Sequence, residues 1–117
     1  MKLTENFNSE EFNCKCGKCR LEINPLFVIK LQLARTIAGI PFKILSGCRC
    51  NEHNGKVGGV KNSAHTRCLA ADIEVNPKTR EKVLSALRQA GFVRIGKADS
   101  FLHCDIDRDL PQMEWKY

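Results

Sequence analysis

Phe101-Leu102-His103-Cys104-Asp105-Ile106-Asp107 alternates with the two-residue period of a β-strand. Leu102, Cys104 and Ile106 share one face; Phe101, His103, Asp105 and Asp107 share the other. An acidic, imidazole-bearing strand face suits a cleft floor better than a core. Leu69 to Val75 alternates in the same way, with Leu69, Ala71, Ile73 and Val75 on the apolar face and Ala70, Asp72 and Glu74 opposite. Asn24-Pro25 pairs a capping residue with a proline at the first helical position, and Gly39 supplies a stop. These signals predict a helix over 25–38, with Leu26, Ile29, Leu33 and Ile37 as its apolar stripe. Asn76-Pro77 opens a second helix carrying Val83, Leu84, Leu87 and Ala90 and ending at Gly91. Residues 41–45 and 92–95 read as short strands, 1–23 as an irregular arm and 46–64 as a long loop of the functional kind. Strands mixed with two main helices predict an α+β fold with a mostly antiparallel sheet.

The chain has 117 residues, 43% hydrophobic and 27% charged, which suits a globular domain rather than a disordered chain. Neither a linker nor a repeat interrupts it, so one domain over 1–117 is expected. Its apolar runs are far shorter than the ~20 residues of a membrane span. No apolar run follows Lys2, so no secretory signal is expected. The formal charge of +6 favours polyanionic surroundings without choosing among nucleic acid, anionic membrane and cell-wall polymer. Seven cysteines are too many to ignore and cannot all pair within one chain, so reduced thiols or metal ligands are the starting expectation.

His65, Asp72 and His103 offer two imidazoles and one carboxylate. That set suits Zn²⁺ with a fourth position left open for water, the catalytic form of a zinc site. The spacing alone does not force the three together.

The surrounding blocks are more specific. Ser46-Gly47-Cys48-Arg49, Gly58-Gly59, Ser63-Ala64-His65, Ala70-Ala71-Asp72 and Leu102-His103-Cys104-Asp105 follow one another in an order that resembles the zinc peptidoglycan-peptidase family. That family includes D-alanyl-D-alanine carboxypeptidases and phage endolysins, and has the hedgehog-type fold. The likeness runs from about residue 24 to 107, and the arm, Asn6-Phe7 to Cys19, resembles members from phages and prophages. The resemblance implies Zn²⁺ as cofactor, held by His65, Asp72 and His103. It implies Arg49 beside the metal, steadying an anionic intermediate or a substrate carboxylate, and Ser63 binding substrate polar groups. A carboxylate would act as general base. Relatives carry it three residues before the last histidine, where this chain has Ser100. Asp99 is taken as the base, ahead of Asp105, which is expected to orient a ligand or Arg49, and of Glu74. Cys68 stands where the family has glycine, a position that can require positive φ. Cys48 and Cys104 read as small buried hydrophobes.

Cys14, Cys16 and Cys19, with Cys50 or Cys48, could complete a structural zinc site. The alternatives are a thiol-rich arm without metal, or one with a disulfide.

The resulting expectation is a monomeric zinc metallopeptidase acting on the peptide part of peptidoglycan, at a D-Ala-D-Ala or an L-Ala-D-Glu bond. It would be made in the cytoplasm and released to the wall, as by a phage holin. Neither nucleic acid nor membrane is expected as a partner. A non-catalytic relative that binds cell wall or serves in a phage particle is the alternative. A nucleic-acid-binding zinc module fits less well, because aromatics are only 7% and fall at core-like positions such as Phe27, Phe42 and Phe92.

Overall fold

A computed structural model describes residues 1–117. Five strands form one sheet: β1 (Ile44–Ser46), β2 (Ala70–Glu74), β3 (Arg94–Lys97), β4 (Phe101–Asp105) and β5 (Glu114–Lys116). Their spatial order is β1-β2-β4-β3-β5. The first three pairings in that order are antiparallel, and β5 joins β3 in parallel. The fold is α+β with a mixed sheet, and the C-terminal strand is an element the sequence pattern does not announce.

Helix α1 (Pro25–Ala38) begins where Asn24 Oδ1 accepts from the amides of Leu26 and Phe27, at 2.8 and 3.4 Å. It ends at Gly39, whose φ of 70° is left-handed. Its bounds match expectation but its face does not. Phe27, Val28, Leu31, Ala34 and Ala38 are buried, while Leu26, Ile29, Leu33 and Ile37 are exposed. A second apolar stripe, offset by a fraction of a turn, docks instead because it carries Phe27, whose ring meets Phe12 and Phe92 edge-on. Helix α3 (Arg80–Gln89) buries Val83, Leu84 and Leu87 as expected, and Ala86 besides, although it starts three residues beyond Pro77. Asn76 Oδ1 first accepts from the amides of Lys78 and Thr79, which holds a turn ahead of the helix.

The stretch expected as a loop contains a short helix, α2 (Asn51–Lys56). Cys50 caps it, its sulfur accepting from the His53 amide at 3.4 Å. The arm is more ordered than expected too. It carries a 3-10 turn at Ser9–Phe12 and sends Phe7 and Phe12, both fully buried, into the core.

Cys48 is not an isolated hydrophobe: it is bridged to Cys68 by a disulfide, with Cα atoms 4.6 Å apart. Cys68 has a φ of 58°, so the position where relatives carry glycine does adopt the left-handed conformation. Cys104 is a free, buried thiol against the core.

Candidate metal centre

The sheet register builds the site. Asp72 pairs with His103, His103 with Gly96, and Gly96 with Trp115, one row across β2, β4, β3 and β5. A neighbouring row runs Ala70, Asp105, Arg94. His65 arrives from a 3-10 turn (Ala64–Arg67) capped by Ser63, whose Oγ accepts from the His65 amide at 3.2 Å.

These placements bring three ligand atoms together. His65 Nε2 lies 3.2 Å from Asp72 Oδ1 and 3.1 Å from His103 Nδ1, and His103 Nδ1 lies 3.0 Å from Asp72 Oδ1. A tetrahedral zinc with bonds of ~2.1 Å spaces its ligand atoms ~3.4 Å apart, so small adjustments admit the ion.

The opposite ring nitrogens decide which lone pairs face inward. His65 Nδ1 donates to the Gly47 carbonyl at 2.6 Å, and His103 Nε2 donates to Asp105 Oδ2 at 2.6 Å. With both rings neutral, two imidazole lone pairs and a carboxylate oxygen converge on one point. That concentration of acceptors is what a cation satisfies.

Asp105 is itself fixed. It accepts from Arg94 Nε at 2.8 Å and from the Asp107 amide at 3.0 Å. Burial disfavours the Asp105 anion, but the hydrogen bonds from His103, the Asp107 amide and Arg94 outweigh it and lower its pKa. Burial likewise opposes charge on Asp72, yet its contacts with the His103 and His65 rings hold its carboxyl well below the usual range. Burial opposes the imidazolium of His103, and Asp105 and Asp72 together still raise its pKa.

The three ligand atoms lie at the floor of a cleft of about 580 Å³. Arg49, Ser63, Trp115 and Tyr117 are among the residues that line it. Arg49 donates its amide to the His65 carbonyl at 3.0 Å, while its side-chain Nε is buried without a partner. Gly59 passes close to it, since a Cβ there would stand 3.0 Å from Arg49 Nη1 and 2.0 Å from Asn54 Oδ1.

Asp99 is not brought to this cleft. It is exposed in the β3–β4 turn, which is closed by the Ala98 amide donating to the Phe101 carbonyl at 3.1 Å. The tight turn leaves the hairpin tip beyond the row that holds His103, so the expected base is corrected on geometry. Glu74 is exposed at the end of β2 and pairs with Lys43 at 3.8 Å. Asp72 is the sole carboxylate lining the cleft.

Two contributors escaped the sequence reading. Arg94 is among the residues lining the cleft, its guanidinium 4.8 Å from the Trp115 ring centroid. Its place opposite Asp105 becomes legible only once strand pairing is known. Trp115 covers Gly96, where any Cβ would fall 2.7 Å from the indole, and its ring lies 5.4 Å from that of His103.

Residues 5–105 match the family profile described as Peptidase M15. The chain belongs to the M15 peptidase family. M15 peptidases are zinc-dependent, and the His65, Asp72, His103 donor set fits that ion. A search of curated proteins finds no match to this M15 chain.

A second group lies apart from the cleft. Cys14, Cys16, Cys19 and Cys50 come together, with sulfurs within 4.8 Å of one another. The amides of Lys18 and Cys19 lower the Cys16 thiol to about 6. His53 belongs to neither group.

Proposed function

We propose that this M15 peptidase hydrolyses peptide bonds in the stem peptides of peptidoglycan, at a D-Ala-D-Ala or an L-Ala-D-Glu bond. The observation that carries the reading is the convergence of His65 Nε2, His103 Nδ1 and Asp72 Oδ1 within 3.2 Å at the floor of an open cleft that Arg49 also lines. The block order shared with peptidoglycan peptidases supports the substrate class. A place among phage or prophage lysis enzymes, acting at the wall after release from the cytoplasm, goes with the same resemblance.

Zn²⁺ bound there supplies Lewis acidity toward a scissile carbonyl and makes water acidic enough to attack near neutral pH. The chain's own groups do the rest. Asp105 and the Gly47 carbonyl keep the two imidazoles turned inward. Arg49 meets negative charge, whether of a terminal carboxylate or of the developing oxyanion, with permanently charged planar donors. Ser63 keeps its hydroxyl proton to donate to substrate while its oxygen caps the His65 turn. Tyr117, its phenol pKa raised chiefly by burial, stays protonated as a further donor at the rim. Asp72 is the one side-chain carboxylate lining the cleft, and as a zinc ligand with a lowered pKa it is poorly suited to take a proton there.

A second reading follows from that last point. With no second carboxylate in the cleft, the domain would hold zinc and bind cell wall, or serve in a phage particle, without cutting. Incubation of zinc-loaded protein with purified sacculi, followed by mass analysis of released and residual peptides, separates the two. New amino termini at one stem-peptide bond support the peptidase, and the masses name the bond. Binding without cleavage supports the second reading. Neither binding nor cleavage rejects both.

A further inference from the structure

Cys14, Cys16 and Cys19 belong to the arm, and Cys50 caps α2, so the four join segments far apart in sequence. Cys14 Sγ stands 3.8 Å from Cys50 Sγ. A disulfide would need ~2.05 Å. A tetrahedral zinc with Zn–S bonds of ~2.3 Å spaces its sulfurs ~3.8 Å apart. The Cys14–Cys50 spacing is that of two donors on a shared ion, and the other sulfurs lie within 4.8 Å of them.

The backbone is arranged for thiolates. The amides of Lys18 and Cys19 donate to Cys16 Sγ at 3.4 and 3.2 Å, that of Cys50 to Cys14 Sγ at 3.3 Å, and that of His53 to Cys50 Sγ at 3.4 Å. A neutral thiol is a weak acceptor, so four N–H groups aimed at three sulfurs match the charged form. Gly17, at φ 77°, turns the chain between Cys16 and Cys19 so that two amides face one sulfur. Lys15, Lys18 and Arg20 place positive charge in the same stretch, against the excess negative charge of four thiolates on a divalent ion.

We propose that Cys14, Cys16, Cys19 and Cys50 bind one Zn²⁺ tetrahedrally, as a structural site that braces the loop carrying Gly47 and Arg49. Four protein donors leave no open position, so the ion holds structure and does no chemistry. Soft thiolates select zinc over hard divalent ions. Binding forms four zinc–sulfur bonds and releases the thiol protons to solvent, with no change of oxidation state.

The brace reaches the cleft through a seam between the arm and residues 47–50. The Cys48 amide donates to the Phe12 carbonyl at 2.8 Å, and Gly47 packs so tightly on Phe12 that a Cβ would meet its Cα at 2.6 Å. The same loop gives the carbonyl that orients His65 and the arginine of the cleft wall. Zinc on the four sulfurs fastens the end of that seam.

Cobalt loading of the reduced, desalted full chain tests the site, performed also on His65→Ala to remove the cleft's contribution. His65→Ala is expected to take up one Co²⁺ per chain, with thiolate-to-cobalt charge transfer and the intense visible bands of a tetrahedral site, all displaced by Zn²⁺. A Cys16→Ser/Cys19→Ser variant is expected to lose those bands. Should that variant misfold, alkylation of the intact chain decides: Zn²⁺ shields Cys14, Cys16, Cys19 and Cys50, and a chelator exposes them. Absence of charge transfer in reduced His65→Ala, equal alkylation with and without zinc, or native iron in place of zinc would each overturn the proposal. The His65→Ala arm reads the sulfur site whether or not the cleft cuts peptides.

Discussion

Asp105 Oδ2 accepts from His103 Nε2 at 2.6 Å, and that contact turns the other ring nitrogen toward His65 and Asp72. Asp105 is therefore a positioning residue: it touches His103 and Arg94, and does not line the cleft. Asp105→Asn keeps the shape but loses the anion that favours this tautomer. Zinc affinity in the cleft is expected to fall about 10–100-fold. Competition against a chelator measures it, and an unchanged affinity would remove Asp105 from the account.

Gly96 is required because Trp115 lies on it. Gly96→Ala forces the indole off the sheet and is expected to cost about 1–3 kcal/mol. Trp115 is the chain's one tryptophan, so its emission reports its own displacement. A red-shifted spectrum with a lower urea midpoint is expected. A spectrum identical to that of the parent chain would show that the Gly96–Trp115 contact is not kept in solution.

Cys68 combines a disulfide with a left-handed backbone. The bridge spans a sequence separation of 20 residues. Loop-closure entropy makes a bridge over such a loop worth about 3 kcal/mol. Cys68→Ala loses the bridge and keeps the strain, whereas Cys68→Gly loses the bridge and relieves the strain. Glycine is expected to be the milder change by about 1 kcal/mol. Urea unfolding of both variants checks the ranking, and alanine equal to or better than glycine would contradict it.

Glu114 gives a pH signature away from either metal group. The hydrogen bond from Arg88, at 2.6 Å, is the main cause that lowers its pKa to about 2, with Lys97 adding to it. A folded-state pKa below the unfolded value gives stability that is present above the unfolded pKa and lost as pH falls through the folded one. Glu114→Gln is expected to be less stable near neutral pH by up to ~1 kcal/mol, since the pair is partly exposed. The gap to the parent chain should close as pH falls from 4.5 toward 2. Thermal unfolding across that range measures it, and a gap that widens toward acid would contradict the assignment.

Much of the fold was legible because its signals are local. The alternation at 69–75 and 101–107 and the Asn24-Pro25 cap each depend on a few neighbouring residues, and the strands and α1 lie there. The docking face of α1 was misread because two apolar stripes compete on one helix, and the choice rests on aromatic partners from distant segments, Phe12 and Phe92. Strand β5 was missed because three residues carry no period, and its pairing with β3 is made by the sheet edge. Helix α2 was missed because its cap is a cysteine sulfur, an unusual acceptor for that position. Among site residues, the blocks around His65, Asp72 and His103 point to one shared ion, and the structure brings the three side chains together. Asp99 was misplaced because a strand period says nothing about how tightly a hairpin closes. Arg94 was missed because a buried arginine is visible only through its partner.

In the function proposed here, His65, Asp72 and His103 share one zinc ion. Elemental analysis of the purified full chain and of His65→Ala, side by side, tests it most directly. The account predicts that the substitution removes one zinc per chain while the fold, read by circular dichroism, is kept. Equal zinc content in two folded proteins would contradict it.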